Sequence, residues 1–410
     1  MKLLLIPASY PHPAAEWVGV FNEHSAVALR RIVQHLEVLT PKPYAPRLFA
    51  VNPRWKAYID APTTQIRNGI TVHRPAYLRI PGILQAFWPS TVAFLFSRRL
   101  TMLLHRRIGF DAILSFDLVG AGALAWRLGR QLGIPASGWA TGSDVRWAPH
   151  SSIGRCVRET LRHLDLVFYQ SRELMELGAQ LLGTSTDGLS DGRHVVQPRG
   201  VSAPHTLPSA NVRHSVRQRL DVSDDHVMVL YLGRIARQKG IFELLGIFAR
   251  WKKMHPRIVL VLVGSRPGYD ETPEVRVRIE SSADLRDRVR LVPGCSPELV
   301  WDYLSAADIF AFPSFKEGMP NSPLEAMLAG LPVVAFGIPS VQEIARFGRG
   351  LIEVSPYNFQ EFEEAILALA HDECLRQEVG KRGQLIARDH FSIHKSMRTV
   401  VDRLSNLIRH

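Results

Sequence analysis

Two carboxylates, Glu317 and Glu325, frame the densest chemical stretch of this 410-residue chain. The stretch reads as a strand ending at Phe312, a loop holding Glu317 and Gly318, and a helix that starts near Ser322. Open α/β sheets bind ligands outside the carboxyl ends of their strands. A helix N-terminus placed there offers free N–H groups and a partial positive charge, which suits a diphosphate. Glu317 can accept hydrogen bonds from hydroxyl groups of a ligand, and Gly318 lets the backbone come close to it. Glu325 has two readings. Ser322-Pro323-Leu324-Glu325 fits a capping box with proline at the first helical position; alternatively, the carboxylate faces a ligand.

A second constellation lies after the strand Val227–Leu232, where Gly233-Arg234 leads to Lys239-Gly240. Two cations at one rim of a sheet can neutralise a leaving diphosphate, although each alone reads as an ordinary surface charge. The spacing is not that of a P-loop, because Gly240 and not Ser or Thr comes after Lys239. The first half of the chain adds a turn-rich loop, Pro11–Gly19, in which Gly19 can admit a substrate close to the backbone. It also adds Thr141-Gly142-Ser143-Asp144, directly after a buried strand. That segment fits either a site or a turn closed by an Asp cap.

The elements that must position these residues alternate between short apolar runs and helical patterns, the sequence form of parallel sheets covered by helices. Strands are expected at Lys2–Ile6, Glu37–Thr40, Phe110–Phe116, Ile134–Trp139 and Leu166–Tyr169. A second series covers Val227–Leu232, Ile258–Val263, Val289–Val292, Asp308–Phe312 and Pro332–Phe336. Phe21–Leu36 reads as a helix, with Phe21, Ala28, Leu29, Ile32 and Leu36 on one stripe. The fold class is therefore α/β, with two Rossmann-like doubly wound lobes. The expected boundaries are 1–203, 204–390 and a closing helix in 391–410 that braces the first lobe, with the linker near Ser202–Asn211.

The opening Met1–Pro7 reads as a buried strand of a cytoplasmic protein and not as a secretory leader. Cys156, Cys295 and Cys374 are far apart, which indicates neither a disulfide framework nor a zinc site. The formal charge of +12 gives some surface a preference for polyanions. Ile80 to Ser97 lacks charge and ends in Arg98-Arg99, with Arg106-Arg107 beyond. Pro81 and Pro89 argue against a membrane span. A core helix with a basic end and a face lying on an anionic membrane both fit.

Taken together, Glu317 and Glu325 around Gly318-Met319-Pro320-Asn321, Gly233-Arg234 to Lys239-Gly240, the Val263-Gly264 strand end and Pro198-Arg199-Gly200-Val201 carry a resemblance. Over nearly its whole length the chain resembles the GT-B glycosyltransferases of family 4. The resemblance implies two lobes with a cleft between them and retaining transfer of a hexose from a nucleoside-diphosphate sugar, UDP ahead of GDP. It implies an acceptor such as a lipid-linked glycan of exopolysaccharide, capsule or lipopolysaccharide assembly, and a cytoplasmic enzyme peripheral on the inner face of the membrane.

By resemblance, Arg234 and Lys239 hold the donor diphosphate, Glu317 contacts hydroxyls of the donor sugar, and Glu325 contacts the ribose. Gly233, Gly264 and the backbone of Gly318, Met319, Pro320, Asn321 and Ser322 complete the donor site, with Gly19 facing the diphosphate. Asp144, with Thr141 and Ser143, is the expected acceptor contact. No metal and no cofactor is expected, since cations and a helix dipole take the metal's place. Relatives often show histidine and glycine before the Ser-Asp pair, whereas Thr141 stands here and cannot serve as an acid or base. This departure leaves room for a catalytically silent scaffold in a polysaccharide-assembly complex. A nucleic-acid partner is not expected, because the recognition motifs of such proteins are missing.

Overall fold

Leu3, Leu4, Leu5 and Ile6 are all fully buried, as a central strand covered on both faces requires. In a computed structural model the strand spans Lys2–Pro7 (β1) and pairs in parallel with two neighbours. The structure describes every residue except 45, 48–52, 79–87, 151–152, 190, 205, 207, 252–253, 266–269 and 410. The chain folds as two units, one of Met1–Arg199 with Ile393–His410, the other of Gly200–Ser392.

The first unit continues with His35–Leu39 (β2), Lys42–Pro43 (β3), Thr64–Arg67 (β4), Ile70–His73 (β5), Ala76–Tyr77 (β6), Ala112–Phe116 (β7), Ala136–Ala140 (β8), Leu166–Tyr169 (β9) and His194–Val196 (β10). Its main sheet runs β10-β9-β8-β7-β1-β2-β5-β4. All of its pairings are parallel except β4 with β5. The second unit contains Val227–Leu232 (β11), Ile258–Ser265 (β12), Val289–Pro293 (β13), Ile309–Phe312 (β14), Val333–Phe336 (β15) and Ile352–Val354 (β16). Its order is β13-β12-β11-β14-β15-β16, parallel throughout.

Both sheets reverse direction beside their first strand, between β1 and β7 and between β11 and β14. In doubly wound sheets that reversal opens the crevice in which ligands bind. Each unit therefore has its own candidate crevice, and the sequence constellations lie at the two reversals.

One expectation needs correction, one signal went unread, and one run is described only in part. The helix expected over Phe21–Leu36 ends at Arg30, and Leu36 lies in β2, where parallel pairing with β1 and β5 takes precedence over the helical stripe. The hairpin β4–β5 went unread although Asn68-Gly69 is its turn; both residues have left-handed backbones, φ 49° and 71°, as a two-residue hairpin loop demands. The uncharged run Ile80–Ser97 lies outside the described residues up to Phe87, and the remainder begins a helix, Trp88–Ile108. Among the described residues no helix is long and apolar enough to cross a membrane.

Candidate active site

At the reversal in the second unit, the turns after β11 and β14 make the rim of the sheet. After β11 the backbone turns through Gly233 at φ 151°, and the adjacent strand β12 carries Gly264, at φ 128°, one residue before its end. A Cβ on Gly264 would sit 2.1 Å from the Gly233 carbonyl oxygen, so the two strand ends touch only because Gly264 has no side chain; a Cβ on Gly233 would instead meet the Tyr231 hydroxyl at 2.8 Å. The buried Tyr231 hydroxyl donates to the Arg234 carbonyl at 2.9 Å and fixes the turn. The Arg234 guanidinium itself is exposed and makes no ion pair among the described residues. A single turn of 3₁₀ helix, Arg237–Lys239, comes next and closes at Gly240, whose missing side chain makes room for Pro313 after β14.

The Gly240–Pro313 packing brings the two sequence constellations together. Lys239 Nζ pairs with Glu317 Oε1. The same carboxylate oxygen accepts from Ser314 Oγ at 2.8 Å, while the Phe315 amide donates to the Gln238 carbonyl at 3.1 Å. The loop after β14 is thus stitched to the turn after β11 by main chain and side chain alike. Ser314 and Tyr231 escaped the sequence reading although each bonds a residue only three positions along the chain, Glu317 and Arg234, because residue type and spacing do not announce a side chain that turns back in this way.

The helix after the loop is Asn321–Leu328, with Pro320 as its capping residue and no side-chain cap bond. This overturns the capping-box reading, since Ser322 lies inside the first turn and Glu325 in the second. The amides of Gly318, Met319, Asn321 and Ser322 donate to no acceptor among the described residues. Free N–H groups and a helix dipole so aimed suit an anion. The Glu325 carboxylate has no hydrogen bond or ion pair among the described residues, and burial pushes it up to about 7.

A raised carboxyl has a defined consequence for stability. The folded protein holds this proton to higher pH than the unfolded chain does, so stability falls as pH rises from about 4.5 to about 7. Glu325→Gln is expected to flatten that fall. Urea denaturation at pH 5 and pH 7.5 of both proteins measures it, and an unchanged difference between the two pH values would place the Glu325 carboxyl in water.

In the first unit, Gly19 caps the helix Val20–Arg30 at φ 74°, and a Cβ there would meet the Ser9 carbonyl oxygen at 2.6 Å. Asp144 is 3 % exposed, and its carboxylate accepts from the amides of Leu118, Thr141, Gly142 and Val145. It fastens the loop after β8 to the end of β7, the work of the Asp-cap reading. Thr141 lies in that same loop, and Ser143 begins the short helix Ser143–Arg146 that follows it. Asp117, which the sequence reading passed over, comes just after β7 with φ 110° and caps Gly120 and Ala121. Burial and the neighbouring Asp144 raise its carboxyl to about 7.

Residues 212–385, which hold this second-unit site, match the family described as Glycosyl transferases group 1. The protein named as teichuronic acid biosynthesis glycosyltransferase TuaC of Bacillus subtilis (strain 168) is 28% identical over 385 residues, 92% of each chain. The chain is a glycosyltransferase. A D-inositol 3-phosphate glycosyltransferase of Geodermatophilus obscurus is 29% identical over 187 residues, 44% of this glycosyltransferase and 41% of its relative.

Among solved structures, sucrose-phosphate synthase from Thermosynechococcus elongatus superposes with a TM-score of 0.77 at 20% identity, over 100% of both chains. HepE of Anabaena, solved in complex with UDP, gives 0.73 at 18% identity, over 99% of the glycosyltransferase and 100% of HepE. At these identities the likeness is one of fold, and the fold is GT-B.

Proposed function

We propose that the protein is a retaining glycosyltransferase of family 4, transferring a hexose from a nucleoside-diphosphate sugar to a glycan acceptor of cell-surface polysaccharide assembly. The observation that carries this reading is the junction at the second-unit reversal. There Lys239, the unpaired Arg234, free amides before and within Asn321–Leu328, and the unpartnered Glu325 converge on one rim. The cations and amides bind the diphosphate and stabilise it as it leaves. Glu317, held by Lys239 and Ser314, receives sugar hydroxyls, and Glu325 receives the ribose. No metal is assigned to the site. HepE, solved with UDP and with UDP-glucose, supports UDP as the base to test first, and TuaC's name supports the acceptor class.

A thermal-shift screen against UDP, GDP, ADP and CMP, with magnesium and with EDTA, tests the reading. A ligand at a hundred times its dissociation constant stabilises by about 2.7 kcal/mol, or several degrees for a unit of this size. One nucleoside diphosphate, UDP first, should give that shift and keep it in EDTA. No shift with any nucleotide would defeat the proposal.

A lipid-linked acceptor also needs access to a membrane. The helix Trp88–Ile108 contains no acidic residue, and it exposes Leu95, Phe96 and Leu103 beside Arg98, Arg99 and Arg106. Arg107 is partly engaged by Glu37 at 3.2 Å. Each basic residue near an anionic surface contributes about 1 kcal/mol. Changing Arg98, Arg99 and Arg106 to Ser should therefore weaken sedimentation with acidic vesicles by about a hundredfold. Equal sedimentation of variant and wild type would remove the membrane face.

A further inference from the structure

Among the described residues, four that are not glycine have a left-handed backbone, and Tyr357, at φ 63°, is the aromatic one. A bulky residue there is strained, and such strain persists only where the surroundings impose it. The turn around Tyr357 does so. The Ser355 amide donates to the Glu361 carboxylate at 2.8 Å, and the Glu361 amide donates to Asn358 Oδ1 at 3.1 Å, which caps the helix Phe359–His371. The Asn358 amide returns to the Ser355 carbonyl at 3.0 Å, and the Phe359 amide to that of Tyr357 at 3.1 Å. Glycine would meet this backbone demand at the least cost. What tyrosine adds to the position is its ring.

That ring stacks on Phe315, with centres 5.1 Å apart and planes at 30°, while Phe336 is 6.4 Å away. Phe315 follows β14, Phe336 ends β15 and Tyr357 follows β16; these strands are adjacent and parallel, so the three rings line one rim of the sheet. Tyr357 is 61 % exposed, so it lies on Phe315 as an outer cover and is no part of the core. Phe315 stands two residues before Glu317. Its ring also meets Phe336 at 6.1 Å and Phe359 at 6.2 Å, and its amide is the one bonded to Gln238. Phe315 is therefore where the Glu317 loop is fastened to its own unit, and the strained tyrosine closes that fastening from outside.

We infer that Tyr357 is a positioning residue for Glu317: by clamping Phe315 it holds the loop after β14 in the place from which Glu317 meets the donor sugar. The inference rests on the reading in which Glu317 receives sugar hydroxyls. A loop set before the ligand arrives loses less freedom on binding it, and an offset aromatic pair supplies that rigidity at an exposed rim.

Hydrogen exchange of the full chain, followed by mass spectrometry, reads the loop directly. Peptides within residues 313–320 should exchange about tenfold faster in Tyr357→Gly, whereas peptides of β14 and β15 keep their protection. Tyr357→Asn, which tolerates the left-handed backbone without the ring, should behave as the glycine variant does, and Tyr357→Phe should restore wild-type exchange. Calorimetry with UDP and with UDP-glucose then reads the consequence, since these two ligands differ only by the sugar. Tyr357→Gly should keep its affinity for UDP within about twofold and lose about tenfold for UDP-glucose. Unchanged exchange over 313–320, faster exchange throughout the unit in both ringless variants, or an equal effect on the two ligands would overturn the inference. Should the wild type bind neither nucleotide while the loop still loosens in Tyr357→Gly, the donor reading fails and the hold of Tyr357 on the loop stands.

Discussion

Lys239→Ala is expected to slow the release of nucleoside diphosphate from the donor by about 10²- to 10³-fold, the range for removing one preorganised electrostatic donor. Lys239 and Glu317 are 17% and 16% exposed, so their pairing is only weakly screened by water. Losing the cation removes a positive charge from the leaving group and also leaves Glu317 negative at the rim. Arg234→Ala should cost less, because that exposed guanidinium holds no neighbouring side chain in place. Initial rates with UDP-sugars, alongside calorimetry with UDP, separate the two variants. A Lys239→Ala protein that turns over at the wild-type rate would contradict the role given to this pair.

Gly264→Ala should be the most damaging single methyl group in the second unit. The residue needs φ 128°, and its new Cβ would lie 2.1 Å from the Gly233 carbonyl oxygen, a backbone atom that cannot swing aside. Strained backbones of this kind cost about 1–3 kcal/mol before any clash is counted. A total of about 2–4 kcal/mol corresponds to a fall of roughly 5–15 °C for a unit of this size. Because β11 and β12 would be forced apart where Arg234 begins, UDP affinity should fall with the melting temperature. A stable, fully binding Gly264→Ala protein would mean that the strand ends are looser than described.

The parallel strands were legible because both faces are covered, which leaves uninterrupted apolar runs such as Leu3 to Ile6 and Val227 to Leu232. Short strands were not: Ile352–Val354 and His194–Val196 hold three residues each, too few for any period to register. The Asn68-Gly69 hairpin carried its signal openly and was overlooked. In the candidate site, residues at strand ends marked by glycine or proline, such as Arg234, Lys239 and Glu317, stood out. Ser314 and Tyr231 did not, because a hydroxyl that turns back onto a residue three positions along the chain leaves no mark in type or spacing. Glu325 shows the limit of spacing. A capping box and a ligand contact share one pattern, and only the actual start of the helix at Asn321 removes the first of them.

The second unit is a continuous insertion, whereas the first is written in two pieces. Met397, Val400 and Leu404 of the closing helix Ile393–Arg409 belong to the same core cluster as Leu3, Ala26 and Leu29. During synthesis at about 5–20 residues per second, the N-terminal segment must therefore wait for the helix Ile393–Arg409 before its core is complete. The insertion can fold while the ribosome is still translating the tail. An expression fragment stopping at Arg199 would leave an apolar furrow beside the helix Val20–Arg30 and should aggregate. Joining Arg199 to Ile393 through a short flexible linker restores the missing helix and gives the first unit an uninterrupted message of its own.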